Sequence, residues 1–148
     1  MSQVLKNSGG TVVLRHKGGN WVYTWGMARR RILIAEDDPD IAELLKTFLE
    51  FAGYEVIPAA NGQAAIDLAM ALAPHLVVLN AHLPDMAGDR VCSLLRTHAR
   101  TATLPILMIS GRPHWHEITA CFRAGATRYL THPLDLARLR QTLSEILA

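Results

Sequence analysis

From residue 31 onward, short apolar runs alternate with longer segments in which apolar residues recur at helical spacing. The spacing predicts strands at 32–35, 55–59, 76–79, 106–109 and 129–131, and helices at about 39–52, 62–73, 89–98, 115–124 and 135–147. Asp38 followed by Pro39 is typical of a helix start, Asn61 is expected to cap the second helix, and Gly53 and Gly125 are expected to end helices. Regular alternation of strand and helix predicts an α/β fold, a doubly wound parallel sheet with helices on both faces.

The first 30 residues follow a different pattern. Runs rich in β-branched and aromatic residues at 11–16 and 21–25 flank Lys17-Gly18-Gly19-Asn20, which favours a hairpin. Residues 1–10 are polar and are expected to be disordered. An alternative is that translation starts at Met27-Ala28 and that the preceding residues are not part of the protein. We therefore divide the chain into an N-terminal extension at 1–30, disordered or hairpin, and a domain at 31–148.

Charge is distributed unevenly between these two parts. The formal net charge is +2, but residues 1–31 hold six basic and no acidic side chains, and the remainder holds nine basic and 13 acidic ones. A basic extension on an acidic body could bind nucleic acid or an acidic protein, or fold back on the body. No recognition helix accompanies the extension, so nucleic acid is not the partner that we expect.

The composition also bears on where the protein works. No apolar stretch approaches the roughly 18 residues of a membrane span, and polar residues interrupt the N-terminus where a signal peptide would need an apolar core. Cys92 and Cys121 fall in predicted helices without metal-ligand spacing, so we expect free thiols in a reduced interior. These features predict a cytoplasmic protein without membrane contact.

Polar residues stand where four of the five predicted strands end. Glu36-Asp37 follow the first strand, Asn80 the third, Ser110 the fourth and His132 the fifth. The carboxyl ends of parallel strands share one edge of the sheet, and ligands of open α/β folds bind at that edge. The sequence therefore places its candidate site there.

These residues and their surroundings resemble the response-regulator receiver domain of two-component signalling, over about residues 31 to 147. The resemblance implies the flavodoxin-like strand order 2-1-3-4-5. It also implies that position 80 is the phosphoacceptor position, that Glu36 and Asp37 belong to a Mg²⁺ site, and that Ser110 and position 132 bind phosphoryl oxygens. The motifs that carry it are ILIAEDDPDI, GYEVIPAANGQAAIDLA, PHLVVLNAHLPDMAG, LPILMIS and AGATRYLTHPLD.

Two positions depart from the family pattern. Asn80 stands where the family has an aspartate, and a neutral amide cannot form an acyl phosphate. His132 stands where the family has a lysine, and its side chain is shorter and carries less positive charge at neutral pH. Both changes disfavour phosphoryl transfer, so we expect no phosphorylation at Asn80, no enzymatic activity, and at most weak Mg²⁺ binding by Glu36, Asp37 and Asn80.

The resemblance further implies how such a domain communicates. Ser110 and Tyr129 match the positions that couple the phosphate site to the surface at about 115–147, and a cis peptide bond is implied between His132 and Pro133. Without a phosphoryl group, we expect this surface to hold a fixed or partner-selected state. No effector segment follows Ala148, so we expect output through a histidine kinase, a phosphotransfer protein or another receiver.

Two alternatives remain open from the sequence. The chain could be a phosphorylatable receiver that uses another carboxylate, such as Asp85 in the loop after the third strand. It could instead be a small-molecule or metal sensor that uses the vacated acidic pocket, with His82 and His132 as transition-metal ligands beside the carboxylates.

Overall fold

The computed structural model describes the backbone of residues 4–7, 10–17 and 20–26, and residues 29–111 and 114–148 with their side chains. The predicted turn at Gly18-Gly19, the alternative start at Met27-Ala28 and the loop residues Arg112-Pro113 lie outside the described residues. The strands are β1 (Val4–Asn7), β2 (Gly10–Lys17), β3 (Asn20–Gly26), β4 (Arg31–Ala35), β5 (Glu55–Ala59), β6 (Leu76–Asn80), β7 (Ile106–Ser110) and β8 (Arg128–Thr131). The helices are α1 (Pro39–Phe51), α2 (Gly62–Leu72), α3 (Gly88–Arg96), α4 (Trp115–Ala124) and α5 (Leu136–Ile146).

Strands β4 to β8 form a parallel sheet in the order β5-β4-β6-β7-β8. Numbered within the domain, this is the predicted order 2-1-3-4-5, and the flavodoxin-like prediction is confirmed. The order reverses between β4 and β6, whose carboxyl ends carry Glu36 and Asn80. The topology therefore places the candidate site at the switch point of the sheet.

Helices cover both faces of this sheet, and the strand residues alternate between two cores. Leu33 and Ala35 of β4 face a cluster that contains residues of α2, α3 and α4, whereas Ile32 and Ile34 face a cluster with residues of α1 and α5. Side chains along a strand point to opposite faces in turn, so a strand buried on both faces is apolar at every position. This is why β6 and β7 appear in the sequence as uninterrupted apolar runs.

The helix signals act as predicted. The Asp38 carboxylate accepts from the backbone N–H groups of Asp40 and Ile41, and the Asn61 side chain accepts from Ala64. Gly53 and Gly125 both adopt positive φ, which glycine tolerates better than any other residue. Helix α4 has the predicted bounds, and the other helix boundaries differ from the predicted ones by at most two residues, as with α3, which begins at Gly88 and ends at Arg96.

Close packing also fixes the start of α3. A Cβ at Gly88 would lie 2.8 Å from the Ala81 Cα atom and 2.5 Å from the Met108 Cε atom. Only glycine lets the helix approach β6 and β7 this closely. At the other end of α3, the Arg96 guanidinium donates to the carbonyls of Leu104 and Gly125, which ties α3 to the end of α4.

The backbone of β1, β2 and β3 forms a second, antiparallel sheet in that order. Strands β2 and β3 correspond to the two runs of the predicted hairpin, and β1 lies in the stretch that we expected to be disordered. The role of residues 1–30 stays a prediction. Within the described part of the chain, none of the helices is both long and apolar enough to cross a membrane.

Candidate functional site

The carboxyl edge of the parallel sheet carries an open cleft of about 500 Å³. It brings together the predicted site residues from three strand ends. Ser110, at the end of β7, is fully buried beneath this edge. The cleft is lined by Glu36, Asp37, Asp38, Ile41, Asn80, His82, Gly111 and His132.

The Asn80 side chain connects the two acidic residues of the cleft. Its Nδ2 atom donates to Glu36 Oε1 at 3.0 Å and to Asp37 Oδ1 at 3.3 Å. Its Oδ1 atom accepts from the backbone N–H of His82 at 3.0 Å. Both ends of the amide therefore have partners within the protein.

The chemistry of these partners fixes the orientation of the amide. Ionised carboxylates only accept hydrogen bonds, and a backbone N–H only donates. Turning the Asn80 amide over would place its oxygen against the carboxylates of Glu36 and Asp37, and its NH₂ group against the His82 N–H. All three hydrogen bonds would be lost, so the donor end must face the acidic pair.

Glu36 is the buried member of the acidic pair, with 6% of its surface exposed. Burial raises the pKa of its carboxyl group, while hydrogen bonds from the Asp38 N–H and the Asn80 amide act in the lowering direction. The Asp37 carboxylate next to it is exposed. The Asn80 amide thus supplies partial positive charge to one buried and one exposed anion.

This arrangement fits a divalent metal ion poorly. Mg²⁺ takes oxygen ligands, and an ion between Glu36 and Asp37 would meet the Asn80 amide hydrogens instead of an oxygen. In addition, the described residues contain no group of three or more His, Cys, Asp or Glu side chains placed to hold a metal. The transition-metal alternative through His82 and His132 gains no support from this geometry.

Ser110 and Tyr129 lie side by side behind the cleft. The Tyr129 ring packs against the core, and its hydroxyl oxygen is buried without a well-formed hydrogen bond to a described residue. Burial raises the pKa of the Tyr129 hydroxyl, and the neighbouring Ser110 hydroxyl acts in the lowering direction. The aromatic side chain therefore points into the protein beside the fourth-strand hydroxyl.

His132 lines the cleft as predicted, and its backbone N–H donates to the Ser110 carbonyl at 2.9 Å. The peptide bond between His132 and Pro133 is cis, as the resemblance implied. Pro133 contributes to a separate cavity of about 440 Å³ between β8 and the start of α5. The two adjacent residues thus face different surfaces of the protein.

Asp85, the alternative acceptor, is bound to another element. Its Oδ1 atom accepts from the Gly62 N–H at 2.7 Å, and its Oδ2 atom accepts from the Gln63 N–H at 2.9 Å. These bonds lower the pKa of the Asp85 carboxyl, with that from Gln63 the stronger cause. Asp85 therefore caps the N-terminus of α2 and does not line the cleft.

Glu117 is a residue of this region that the sequence did not indicate. The Nε2 atom of His82 lies 2.8 Å from its Oε1 atom, so the loop after β6 contacts the first turn of α4. Glu117 is 35 positions from His82 in sequence, and no periodicity or motif links them. The sequence held no signal from which this contact could have been found.

Comparison with known proteins agrees with the fold. Residues 32–144 match the family model of the response regulator receiver domain. The chain is 42% identical over 117 residues to the DNA-binding dual master transcriptional regulator RpaA of Synechocystis sp., covering 76% of this chain and 48% of that protein. It is 37% identical to the response regulator MprA of Mycolicibacterium vanbaalenii, covering 79% of this chain and 50% of the relative. The chain thus spans about half the length of these curated relatives.

Two solved structures of response regulators have the same fold. A response regulator from Chloroflexus aurantiacus superimposes with a TM-score of 0.77 at 35% identity, covering 80% of this chain and 98% of that chain. A response regulator receiver domain protein from Methanospirillum hungatei also gives a TM-score of 0.77, at 28% identity, covering 81% of this chain and 94% of that one.

Proposed function

The chain belongs to the response regulator receiver domain family of two-component signalling, and on that basis we propose that it acts by binding other proteins, without accepting a phosphoryl group at Asn80. The observation that carries the proposal is the Asn80 amide, which donates to both Glu36 and Asp37. The protein would then be a binding module of a signalling pathway and not an enzyme.

The first support is the chemistry of position 80. A carboxylate can attack phosphorus, whereas an amide nitrogen or oxygen at neutral pH is a poor nucleophile and its product would not be an acyl phosphate. The neighbouring groups also differ from those that transfer of a phosphoryl group needs, because that reaction depends on cations that neutralise the developing charge. Here His132 lines the cleft in place of a lysine.

The second support is that the amide replaces a cation in the acidic pair. In a receiver with three carboxylates at this edge, a bound cation reduces the repulsion between them. In this chain the Asn80 NH₂ group supplies that positive end from within the protein, at 3.0 and 3.3 Å from the two carboxylates. Both carboxylates therefore have a hydrogen-bond donor within the protein, without a metal ion or a phosphoryl group.

The use of Asp85 as a substitute acceptor is disfavoured by its contacts. Both carboxylate oxygens already accept backbone N–H groups at the start of α2. Attack on a phosphoryl donor would require one oxygen to leave the helix terminus, where the unsatisfied N–H groups and the helix dipole favour a negative charge. We propose that Asp85 stabilises α2 and does not react.

The binding surface that we propose is formed by α4, β8 and α5, at about 115–147. It contains a cavity of about 440 Å³, to which Tyr129, Pro133 and Arg138 contribute. Trp115 on α4 is 68% exposed and Phe122 is 46% exposed, and large exposed apolar side chains are typical of protein contact surfaces. The proposed partners are a histidine kinase, a phosphotransfer protein or another receiver.

The test is a phosphorylation assay with matched variants. The full chain would be incubated with acetyl phosphate and Mg²⁺ and analysed by intact mass at acidic pH. We expect no mass increase of one phosphoryl group in the wild type. The same assay on Asn80→Asp and on Asn80→Asp with His132→Lys separates the loss of the nucleophile from the loss of the lysine.

The outcomes differ clearly. Phosphorylation of the wild type, mapped to any carboxylate of the cleft or to Asp85, would refute the proposal. Labelling of the single variant Asn80→Asp would mean that only the nucleophile was missing. Labelling of the double variant but not of the single one would mean that the lysine at position 132 is needed as well. Asp85→Asn serves as the control for modification outside the cleft.

A further inference from the structure

Helix α4 packs along α3 but fully buries fewer residues than α2 or α3 does. It buries one residue, Cys121, whereas α2 and α3 bury four each. Its N-cap residue His114 forms no capping hydrogen bond through its side chain. With one fully buried residue, α4 should depend on polar contacts for its position more than α2 and α3 do.

Two polar contacts hold α4 at its two ends. At its C-terminal end, the Arg96 guanidinium donates to the Gly125 carbonyl at 2.7 Å. In its first turn, Glu117 accepts from His82 Nε2 at 2.8 Å. Glu117 is 23% exposed and His82 is 62% exposed, so water reaches the histidine side of this contact, and its strength is that of a surface pair.

The contact at Glu117 continues into the cleft. The backbone N–H of His82 donates to Asn80 Oδ1 at 3.0 Å, and Asn80 Nδ2 donates to Glu36 and Asp37. Every donor in this series has an acceptor. Because a carboxylate only accepts, His82 must carry a hydrogen on Nε2, and the imidazole can donate it whether neutral or charged.

We propose that His82 and Glu117 are positioning residues, through which Asn80 fixes α4 and hence the surface of α4, β8 and α5. The proposal rests on the function proposed above and extends it. In the proposed function, the Asn80 amide gives Glu36 and Asp37 a hydrogen-bond donor without a phosphoryl group. Here, the same amide also decides which position of α4 a protein partner meets.

The experiment measures hydrogen exchange of the α4 amides in the full-length chain. Four variants are compared with wild type: Asn80→Ala, His82→Ala, Glu117→Ala, and the double variant of His82 and Glu117. We expect each single variant to speed exchange in the first turns of α4 by about 2- to 5-fold, the size expected for the loss of one surface pair. The double variant should exchange no faster than the faster single one, because both remove the same contact.

A matched control comes from α5. Glu145→Ala removes a glutamate that accepts from Gln141 at 3.3 Å on the same surface but has no connection to Asn80. This change should leave exchange in α4 unchanged. A second measurement is the fluorescence emission of Trp115. It is made in a chain that carries Trp21→Phe and Trp25→Phe, because these are the other tryptophans of the sequence.

Two results would overturn the proposal. If Asn80→Ala leaves α4 unchanged while Glu117→Ala alters it, the His82 contact is a local surface pair. If the effects of His82→Ala and Glu117→Ala add, the two side chains act separately. Neither result touches the proposed function, which fails only if the wild-type chain takes up phosphate.

Discussion

Replacing the Asn80 amide by a carboxylate should destabilise the protein in the absence of metal ions and make its stability depend on Mg²⁺. Asn80→Asp keeps the shape of the side chain. It converts two hydrogen bonds, of 3.0 Å to Glu36 and 3.3 Å to Asp37, into contacts between like charges. The exchange therefore tests whether the amide stands in for a cation.

The size of the effect follows from two limits. Each repulsion between unit charges near 4 Å costs about 1 kcal/mol even at the dielectric constant of water, so two contacts give about 2 kcal/mol. The upper limit is set by proton uptake, because the new carboxyl could bind a proton instead. Protonating a group with an ordinary pKa of about 3.9 at pH 7 costs about 4 kcal/mol. We expect the free energy of unfolding to fall by about 2 to 4 kcal/mol, or the melting temperature by roughly 6 to 15 °C.

Magnesium should reverse this loss in the variant. If the three carboxylates bind Mg²⁺ with a Kd one hundredth of the added concentration, stability recovers by about 2.7 kcal/mol. The wild type should gain less than about 0.4 kcal/mol, the value for a Kd no lower than the added concentration. The assay is urea unfolding followed by circular dichroism, with and without Mg²⁺, at matched ionic strength so that screening is constant.

Gln141→Glu is the matched control. It also converts an amide that donates to a carboxylate, here Glu145 at 3.3 Å, into a second carboxylate, but on the exposed face of α5. Its cost should stay below about 0.5 kcal/mol, and Mg²⁺ should not change it. Equal stability of Asn80→Asp and wild type without metal would refute the electrostatic role that we assign to Asn80.

Three further predictions concern titration and reactivity. Burial raises the pKa of the Glu36 carboxyl above 4.5, so the folded state binds a proton at Glu36 more tightly than the unfolded state does, and the free energy of unfolding should rise as the pH falls from neutral toward 4.5. In urea unfolding, Glu36→Gln should be more stable than wild type at pH 7 and should not show this rise. The pKa of Asp85 in the folded protein lies below the ordinary value of 3.8, so the carboxylate stabilises the fold above pH 3.8, and this effect is lost as the pH falls through the pKa of the folded state. Asp85→Ala should therefore melt at a lower temperature than wild type at pH 7, and the difference should shrink in strong acid. Burial raises the pKa of Cys92 to about 12 and of Cys121 to about 11, so both thiols should react with a thiol reagent at pH 8 only as fast as the protein opens.

Each of these has its own control. For the first, Glu145→Gln on exposed α5 should leave the pH profile unchanged, and an unchanged profile in Glu36→Gln would contradict the prediction. For the second, Asp67→Ala within α2 changes charge without removing the cap, so an equal loss in both variants would argue against capping by Asp85. For the third, urea should release two reactive thiols per chain, and fast reaction in native buffer would show that at least one thiol is accessible.

The fold could be predicted because its determinants are local in sequence. Asp38, Asn61 and Gly125 mark helix ends within one turn of their own positions, and the apolar runs of β6 and β7 show burial on both faces. The parallel arrangement then follows from the alternation of strand and helix. The strand order itself came from resemblance to a family and not from the spacing.

The site could be predicted only in part. That Glu36, Asp37, Asn80 and His132 share one edge followed from the geometry of parallel sheets. The direction of the Asn80 amide could not be predicted, since it depends on the exact positions of three partners. The binding of Asp85 to Gly62 crosses 23 positions of sequence and is made with backbone groups, which carry no residue-specific signal.

Hydrogen bonds hold the loop after β6 near its start, its middle and its end, and this affects how quickly a partner can bind. Its first residues are held by the His82 N–H on Asn80, its middle by Asp85 on α2, and its end by the Gly88 N–H on the Ala81 carbonyl. A segment tied at three points loses little freedom when another molecule settles on it. Because this loop contacts α4 through His82 and Glu117, a partner that binds the surface of α4, β8 and α5 should meet it already ordered, and the association rate should show no plateau from a slow rearrangement of the loop.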